Sequence, residues 1–242
     1  MTYCAAINVA EGLVFISDSR TNAGIDNIST YSKMKAFGVP GERQFVICCA
    51  GNLATTQAVL AQVERDIEEQ AEVNLFNVKR MADAASYIGS LSLAEQNRSA
   101  TPDAVFSATF LVGGEIAGAR CRAFMVYPEG NFISTAKQNP FLQIGETKYG
   151  KPIMDRILTE NTSLDDAALC ALLSMDATTR SNLSVGPPIE LYVYHRGSLQ
   201  VGKYICFIED SEYLRQLRSS WNESVREAFA RLPNISWTET NQ

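Results

Sequence analysis

The stretch MTYCAAINVAEGLVFISDSR, residues 1–20, decides how the chain begins to fold. Residues 3 to 9 and 13 to 20 are rich in Ala, Val, Ile, Leu and Phe around Glu11-Gly12, the pattern of an antiparallel hairpin. A three-residue loop, Ala10-Glu11-Gly12 with glycine in the left-handed position, pairs Val9 with Leu13, Cys4 with Asp18 and Thr2 with Arg20. Side chains alternate with a period of two along a strand, so this register puts Thr2, Asp18 and Arg20 on one face. A two-residue loop would turn Asp18 to the opposite face.

Further strands are predicted near 30 to 37 and 44 to 50. Two helical patterns follow, Leu53, Leu60, Val63 and Ile67, then Val78, Met81, Ala85, Ile88 and Leu91, each with one apolar face to lay on a sheet. After a polar break from Glu95 to Asp103, the segments 104 to 112, 119 to 127 and 131 to 136 read as strands. Gly113-Gly114 and Pro128-Glu129-Gly130 read as their turns. Ser163 with Asp166 three residues on marks the start of a helix that carries Leu164, Ala168, Leu172 and Met175 inward. Two more strands, 189 to 196 and 199 to 207, meet at Gly197-Ser198. A final helix from about 210 to 232 aligns Leu214, Leu217, Trp221, Val225, Phe229 and Leu232, and Pro233 stops it ahead of a polar tail.

Grouped strands alternating with grouped helices indicate an α+β fold of antiparallel sheets with helices outside, and the strand count suggests a four-layer αββα sandwich. No long Pro, Gly or Ser linker interrupts the 242 residues, so the expectation is a single domain over 1–242. A net charge of -6, with 21 basic residues scattered among 27 acidic ones, argues against a nucleic-acid partner. No membrane-length apolar run or secretory signal is visible, so no membrane partner and a cytoplasmic location are expected. The six cysteines lie mostly in apolar segments without paired spacings, which reads as reduced, buried thiols, and neither metal nor cofactor is expected. The only histidine, His195, sits at a strand end and reads as structural rather than catalytic.

Chemistry concentrates at the start of the chain. If Met1 is removed, Thr2 supplies a hydroxyl nucleophile and an α-amine base from one residue. A free α-amine titrates near pH 7.7 to 8.0 in model peptides, close to where a general base works best. Lys33 is a candidate for the positive charge beside the hydroxyl, with Asp18 holding it in place. Backbone N–H groups of the turn Ala50-Gly51-Asn52, at a strand end and helix start, are candidates for an oxyanion hole.

Taken together, Thr2, the segment Ser17-Asp18-Ser19-Arg20 with Gly24 behind it, Lys33 and Ala50-Gly51 resemble a proteasome β-type subunit. The wording of residues 1–34 is most similar to the bacterial Anbu, or ancestral β-subunit, group. The resemblance runs to about residue 207. It implies an N-terminal nucleophile (Ntn) hydrolase fold, threonine-dependent cleavage of peptide or protein substrates, and self-association into a ring or open ring-like homo-oligomer. An unfoldase partner is left unspecified. By position, Thr2 is nucleophile and amine base, Asp18 and Lys33 are its electrostatic partners, and Gly51 donates to the oxyanion, with Arg20 in support. Asp176 matches an aspartate that orients the amine, and Ser181 or Ser184 the serine beyond it.

The sequence departs from the family pattern at two places. Thr2 to Lys33 is one residue shorter than usual, with Lys35 as the alternative lysine, and Gly145-Glu146-Thr147 stands where many relatives carry serine-glycine-serine. Three functions follow: a threonine peptidase; an Ntn amidohydrolase or acyl transferase acting on a small or modified peptide; or a catalytically silent scaffold. The final helix serves either its own domain or a subunit contact.

Overall fold

Two residues, Ala10 and Glu11, turn the first hairpin, which joins β1 (Tyr3–Val9) to β2 (Gly12–Asp18) with Val9 opposite Gly12 and Cys4 opposite Ser17. The three-residue loop expected from sequence is therefore corrected. Gly12 is not a loop residue. It begins β2, where a Cβ would run into the carbonyl oxygen of Tyr194 on a neighbouring strand, so the glycine answers a close backbone approach.

The computed structural model describes residues 1–22, 28–99 and 106–235. Gly24, residues 104 and 105 and most of the polar tail lie outside them. After β2 come β3 (Arg20–Asn22), β4 (Ile28–Thr30), β5 (Met34–Val39), β6 (Arg43–Gly51), α1 (Leu53–Glu68) and α2 (Met81–Ser99). Next are β7 (Ala108–Ile116), β8 (Arg122–Val126), β9 (Phe132–Ser134), β10 (Phe141–Gly145), α3 (Lys151–Ile157) and α4 (Leu164–Ser181). The chain continues through β11 (Ile189–His195), β12 (Lys203–Phe207) and α5 (Glu212–Ala230).

One five-stranded sheet runs β10-β1-β2-β11-β12 and the other β5-β6-β7-β8-β9, with every pairing antiparallel; β3 and β4 form a separate ribbon. Helices α1 and α2 cover the second sheet through a core that includes Phe45, Ile47, Val63, Ile88, Phe110 and Phe124. The two sheets face one another across Cys4, Ala6, Phe15, Val46, Leu111 and Tyr194, and α4 lies on the outer face of β1, β2 and β11. This is the αββα sandwich. Because β1 and β2 are covered on both faces, they read as nearly continuous apolar runs, and each fully buried Leu, Ile or Phe contributes on the order of 1.5–3 kcal/mol.

Helix ends follow the expected chemistry. The side chain of Ser163 accepts from the Asp166 N–H and opens α4, and Asn52 accepts from the Thr55 N–H and opens α1. Other expectations are corrected. Gly113 and Gly114 lie inside β7, where a Cβ on Gly113 would sit 2.6 Å from Phe15 Cζ of the facing sheet and one on Gly114 would strike the Gln44 carbonyl. The polar break beginning at Glu95 is still helix, held by a Glu95–Arg98 ion pair at 3.0 Å and by Gln96 Nε2 donating to the Pro128 carbonyl at 2.8 Å. Strand β10 has no counterpart in the expected strands, and α3 is the second helix that precedes β11, where the sequence allows one or two. Five cysteines are buried, but Cys206 is exposed because β12 is the edge of its sheet.

By contacts the chain divides into residues 1–209 and 210–242. In the second unit, α5 begins at Ser211, whose side chain caps the Leu214 N–H, and the helix buries none of its residues. Val225 and Phe229 of its apolar stripe stand exposed. Among the described residues no helix is long and apolar enough to cross a membrane.

Replacing Gly12 by Ala should destabilise the protein by at least the roughly 1–3 kcal/mol typical of overpacking, because backbone rather than a mobile side chain blocks the new methyl group. Urea melts of wild type and Gly12→Ala measure this. An unchanged midpoint would show that β2 and β11 do not approach as described.

Candidate active site

Helix α1 starts where β6 ends, and Gly51 makes the corner with φ +116, a conformation in which a Cβ would also crowd the Ser107 carbonyl. The corner opens onto a cavity of about 420 Å³ whose walls include Thr2, Arg20, Lys33, Cys49, Gly51 and Leu53. Cys4 and Ala6 of β1 point between the sheets, and the alternation carries Thr2 to that same side.

Asp18 lies beneath this cavity, fully buried. Since Cys4 pairs with Ser17, strict alternation places Asp18 in the row of Tyr3, not of Thr2, contrary to the face-sharing expected from sequence. It reaches the site because β2 ends there. The next rung of the ladder is replaced by the side chain: Tyr3 N–H donates to Asp18 Oδ1 at 2.9 Å, and Gly186 N–H approaches Oδ2 at 3.5 Å. Lys33 Nζ bonds the same Oδ1 at 2.9 Å and the Arg20 carbonyl at 2.5 Å. Burial pushes the Asp18 carboxyl above its ordinary range, against the opposing pull of the Lys33 ammonium and the two backbone donors.

Of the two lysines considered, Lys33 is buried at the cavity, whereas Lys35 is half-exposed and ion-paired to Glu64. Arg20 donates to the Leu183 carbonyl at 3.0 Å and lies 3.6 Å from Glu209, which ties the segment after α4 to the start of β3. Asp176 is half-buried on α4 and engaged rather than free, and it does not line the cavity. Ser181 ends α4 exposed, and the Ser184 N–H donates to Asn182 Oδ1. Neither serine lines the cavity. His195 pairs with Gly12 while Ile189 pairs with Asp18, so the histidine is six strand residues, about 20 Å, from the site.

Sequence reasoning missed Glu190 and Asn182, and marked Glu146 only as part of a loop that departs from the family pattern. Buried Glu190 accepts from the hydroxyls of Ser17, Ser19, Ser32 and Tyr204, at 2.8 to 3.3 Å, which fastens β2 and the residue before Lys33 to β11 and β12. Glu146 and Asn182 meet beside Met1: Asn182 Nδ2 donates to Glu146 Oε2 at 3.2 Å and lies 3.7 Å from Met1 Sδ. Nothing local in the sequence marks these contacts, since each partner comes from a distant part of the chain. Among the described residues no group of three His, Cys, Asp or Glu side chains is placed to hold a metal ion.

The model of the family described as "Proteasome subunit" matches residues 2–194, which contain every wall of this cavity except Met1. The chain belongs to the proteasome subunit family. Among solved structures it is similar to Anbu (ancestral beta-subunit) from Yersinia bercovieri, with 44% identity over 98% of this chain and 100% of that one and a TM-score of 0.93. It is equally similar to the Anbu complex from Pseudomonas aeruginosa, solved as a helical assembly, with 44% identity, coverage of 99% and 100% and a TM-score of 0.94. An Anbu Gly-1 mutant from Hyphomicrobium sp. strain MC1 gives 42% identity, coverage of 98% and 100% and a TM-score of 0.92. No curated protein matches the chain. The resemblance to proteasome β-subunits of the Anbu group and the Ntn-hydrolase fold inferred from it are thus both borne out.

Replacing Lys33 by Met leaves the Asp18 carboxylate buried without its cation, a change that costs about 3–5 kcal/mol. The folded-state pKa of Asp18, already raised, then climbs further above its unfolded value of about 3.9. The folded state then keeps a proton that the unfolded state has lost, so stability falls as pH rises from about 4 through the folded pKa. Urea melts should show a larger deficit at about pH 8 than at about pH 5, and Asp18→Asn with Lys33→Met should remove the difference. Equal deficits at both pH values would contradict a buried, uncompensated Asp18.

Proposed function

We propose that the protein is a threonine-type peptidase of the proteasome-like class, active once Thr2 is the first residue. The observation that carries this reading is that Thr2, Lys33 and Gly51, far apart in sequence, line one cavity with Asp18 bonded to Lys33 below it. An ammonium has three N–H donors. Asp18 and the Arg20 carbonyl take two of those on Lys33, which leaves the third for the Thr2 hydroxyl on the same cavity, where the positive charge eases loss of the proton.

The α-amine of Thr2 accepts that proton as Oγ attacks the carbonyl carbon of the scissile amide. The Gly51 N–H bonds the oxyanion. The protonated amine then returns its proton to the leaving nitrogen as the C–N bond breaks, and water resolves the acyl-enzyme by the same route in reverse. The walls contributed by Cys49, Ala50, Leu53, Thr56 and Leu60 suit a small or medium apolar side chain on the substrate. Self-association in the manner of the Anbu assembly is part of the proposal, and the exposed apolar stripe of α5 is suited to it.

Protein shown by intact mass to begin at Thr2 should gain the mass of a peptide epoxyketone at that residue and hydrolyse apolar peptide substrates. Thr2→Ala should lose both properties, with the residual rate down by a factor of at least about 10³. Absence of the adduct in the correctly processed protein, with Thr2→Ala indistinguishable from wild type, would leave the scaffold reading instead.

A further inference from the structure

The Glu146 carboxylate is buried, with the residue only 7% exposed, yet among the described residues no cation pairs with it. Its donors are neutral and long: Asn182 Nδ2 on Oε2 at 3.2 Å and the Lys148 N–H on Oε1 at 3.3 Å. A carboxylate out of water with so little compensation is costly unless a positive charge stands near it.

Its position explains where that charge comes from. The Glu146 N–H donates to the Thr2 carbonyl at 2.7 Å, one step beyond the Tyr3 to Gly145 pair of β1 and β10. Residue 146 is thus bonded by its backbone directly to residue 2, just past the end of the ladder. Gly145 permits this closeness: its φ is +81, and a Cβ there would meet the Thr2 carbonyl oxygen. On the other side, the Asn182 amide that holds Glu146 also touches Met1. Cleaving the bond between Met1 and Thr2 leaves an ammonium at Thr2 beside this carboxylate.

We propose that Glu146, steadied by Asn182, is the hydrogen-bond acceptor and counter-charge of the α-amine that Thr2 gains when Met1 is removed. Glu146 is a positioning residue: it aims the amine and raises its proton affinity, offsetting Lys33, which lowers it. The other ionisable groups on elements packed around Thr2 are Asp18 of β2, Arg20 of β3, Cys49 of β6, Asp176 of α4 and Lys148. Asp18 is already held by Lys33, and Arg20 lies by Glu209. This assignment rests on the reading of Thr2 as an N-terminal nucleophile, but its test does not need turnover.

Protein is prepared with Thr2 first by cutting a fusion directly before it, and intact mass verifies the start. Cyanate carbamylates only the unprotonated amine, so the pH midpoint of the reaction at Thr2, followed by mass and peptide mapping, reports the amine pKa. In Glu146→Gln the midpoint should fall by at least about one pH unit, as expected when an opposite charge within a few ångströms is lost, and in Glu146→Asp it should fall less. The acid limb of the peptidase profile should move with it. A crystal structure of the processed wild type should place a Glu146 oxygen within about 3.2 Å of the Thr2 nitrogen. An unchanged midpoint in folded Glu146→Gln, or a separation well beyond hydrogen-bond reach, overturns the assignment. A shifted midpoint in a protein that neither cleaves peptides nor takes the epoxyketone would instead sustain Glu146 and overturn the peptidase reading.

Discussion

The buried pair of Asp18 and Lys33 is the interaction on which the rest of the site depends. Asp18 is where β2 stops pairing with β1, and its carboxylate gathers the Tyr3 N–H, the Gly186 N–H and the Lys33 ammonium. One side chain thereby fixes the entry to β1, the approach to β5 and the segment after α4. Because these groups are buried, none of them can leave without stranding another, so they hold the geometry around Thr2 as a set rather than by the strength of any one bond.

A second buried carboxylate extends that frame. Glu190 accepts four hydroxyl donors, and Ser32 among them sits directly before Lys33. The ammonium is thus located from both sides, by Asp18 through charge and by Glu190 through the backbone of residue 32. Hydroxyl donors satisfy this carboxylate without adding a cation that would compete with Lys33. Glu146, whose N–H bonds the Thr2 carbonyl, follows the opposite principle: it is buried with few donors of its own.

Glycines mark where sequence and structure part company. Gly12 and Gly113-Gly114 look like turn residues, yet all three lie within strands, where a neighbouring backbone or a side chain of the facing sheet takes up the space of a Cβ. With Gly12 in the strand rather than the loop, the hairpin register shifts by one position and Asp18 falls on the face of Tyr3. The aspartate still meets Lys33, because a side chain at the end of a strand is no longer held to the strand's alternation. Gly51, in contrast, is a corner in both readings, since a glycine between an apolar strand and a capped helix has few other uses.

Local signals in the chain were enough to determine the grouping of strands and helices, the cap at Ser163, the apolar faces of α1 and α4 and the family to which the chain belongs. Those features depend on periodicity and on neighbours a few residues apart, which one sequence displays in full. Tertiary structure alone decided the hairpin register, the choice of Lys33 over Lys35, the existence of β10, and the contacts of Glu190, Glu146 and Asn182. Each of these rests on groups brought together from distant parts of the chain. Burial of a charge, the crowding of a missing Cβ and the pairing of a carboxylate have no local sequence pattern, and they are properties of the packed sandwich.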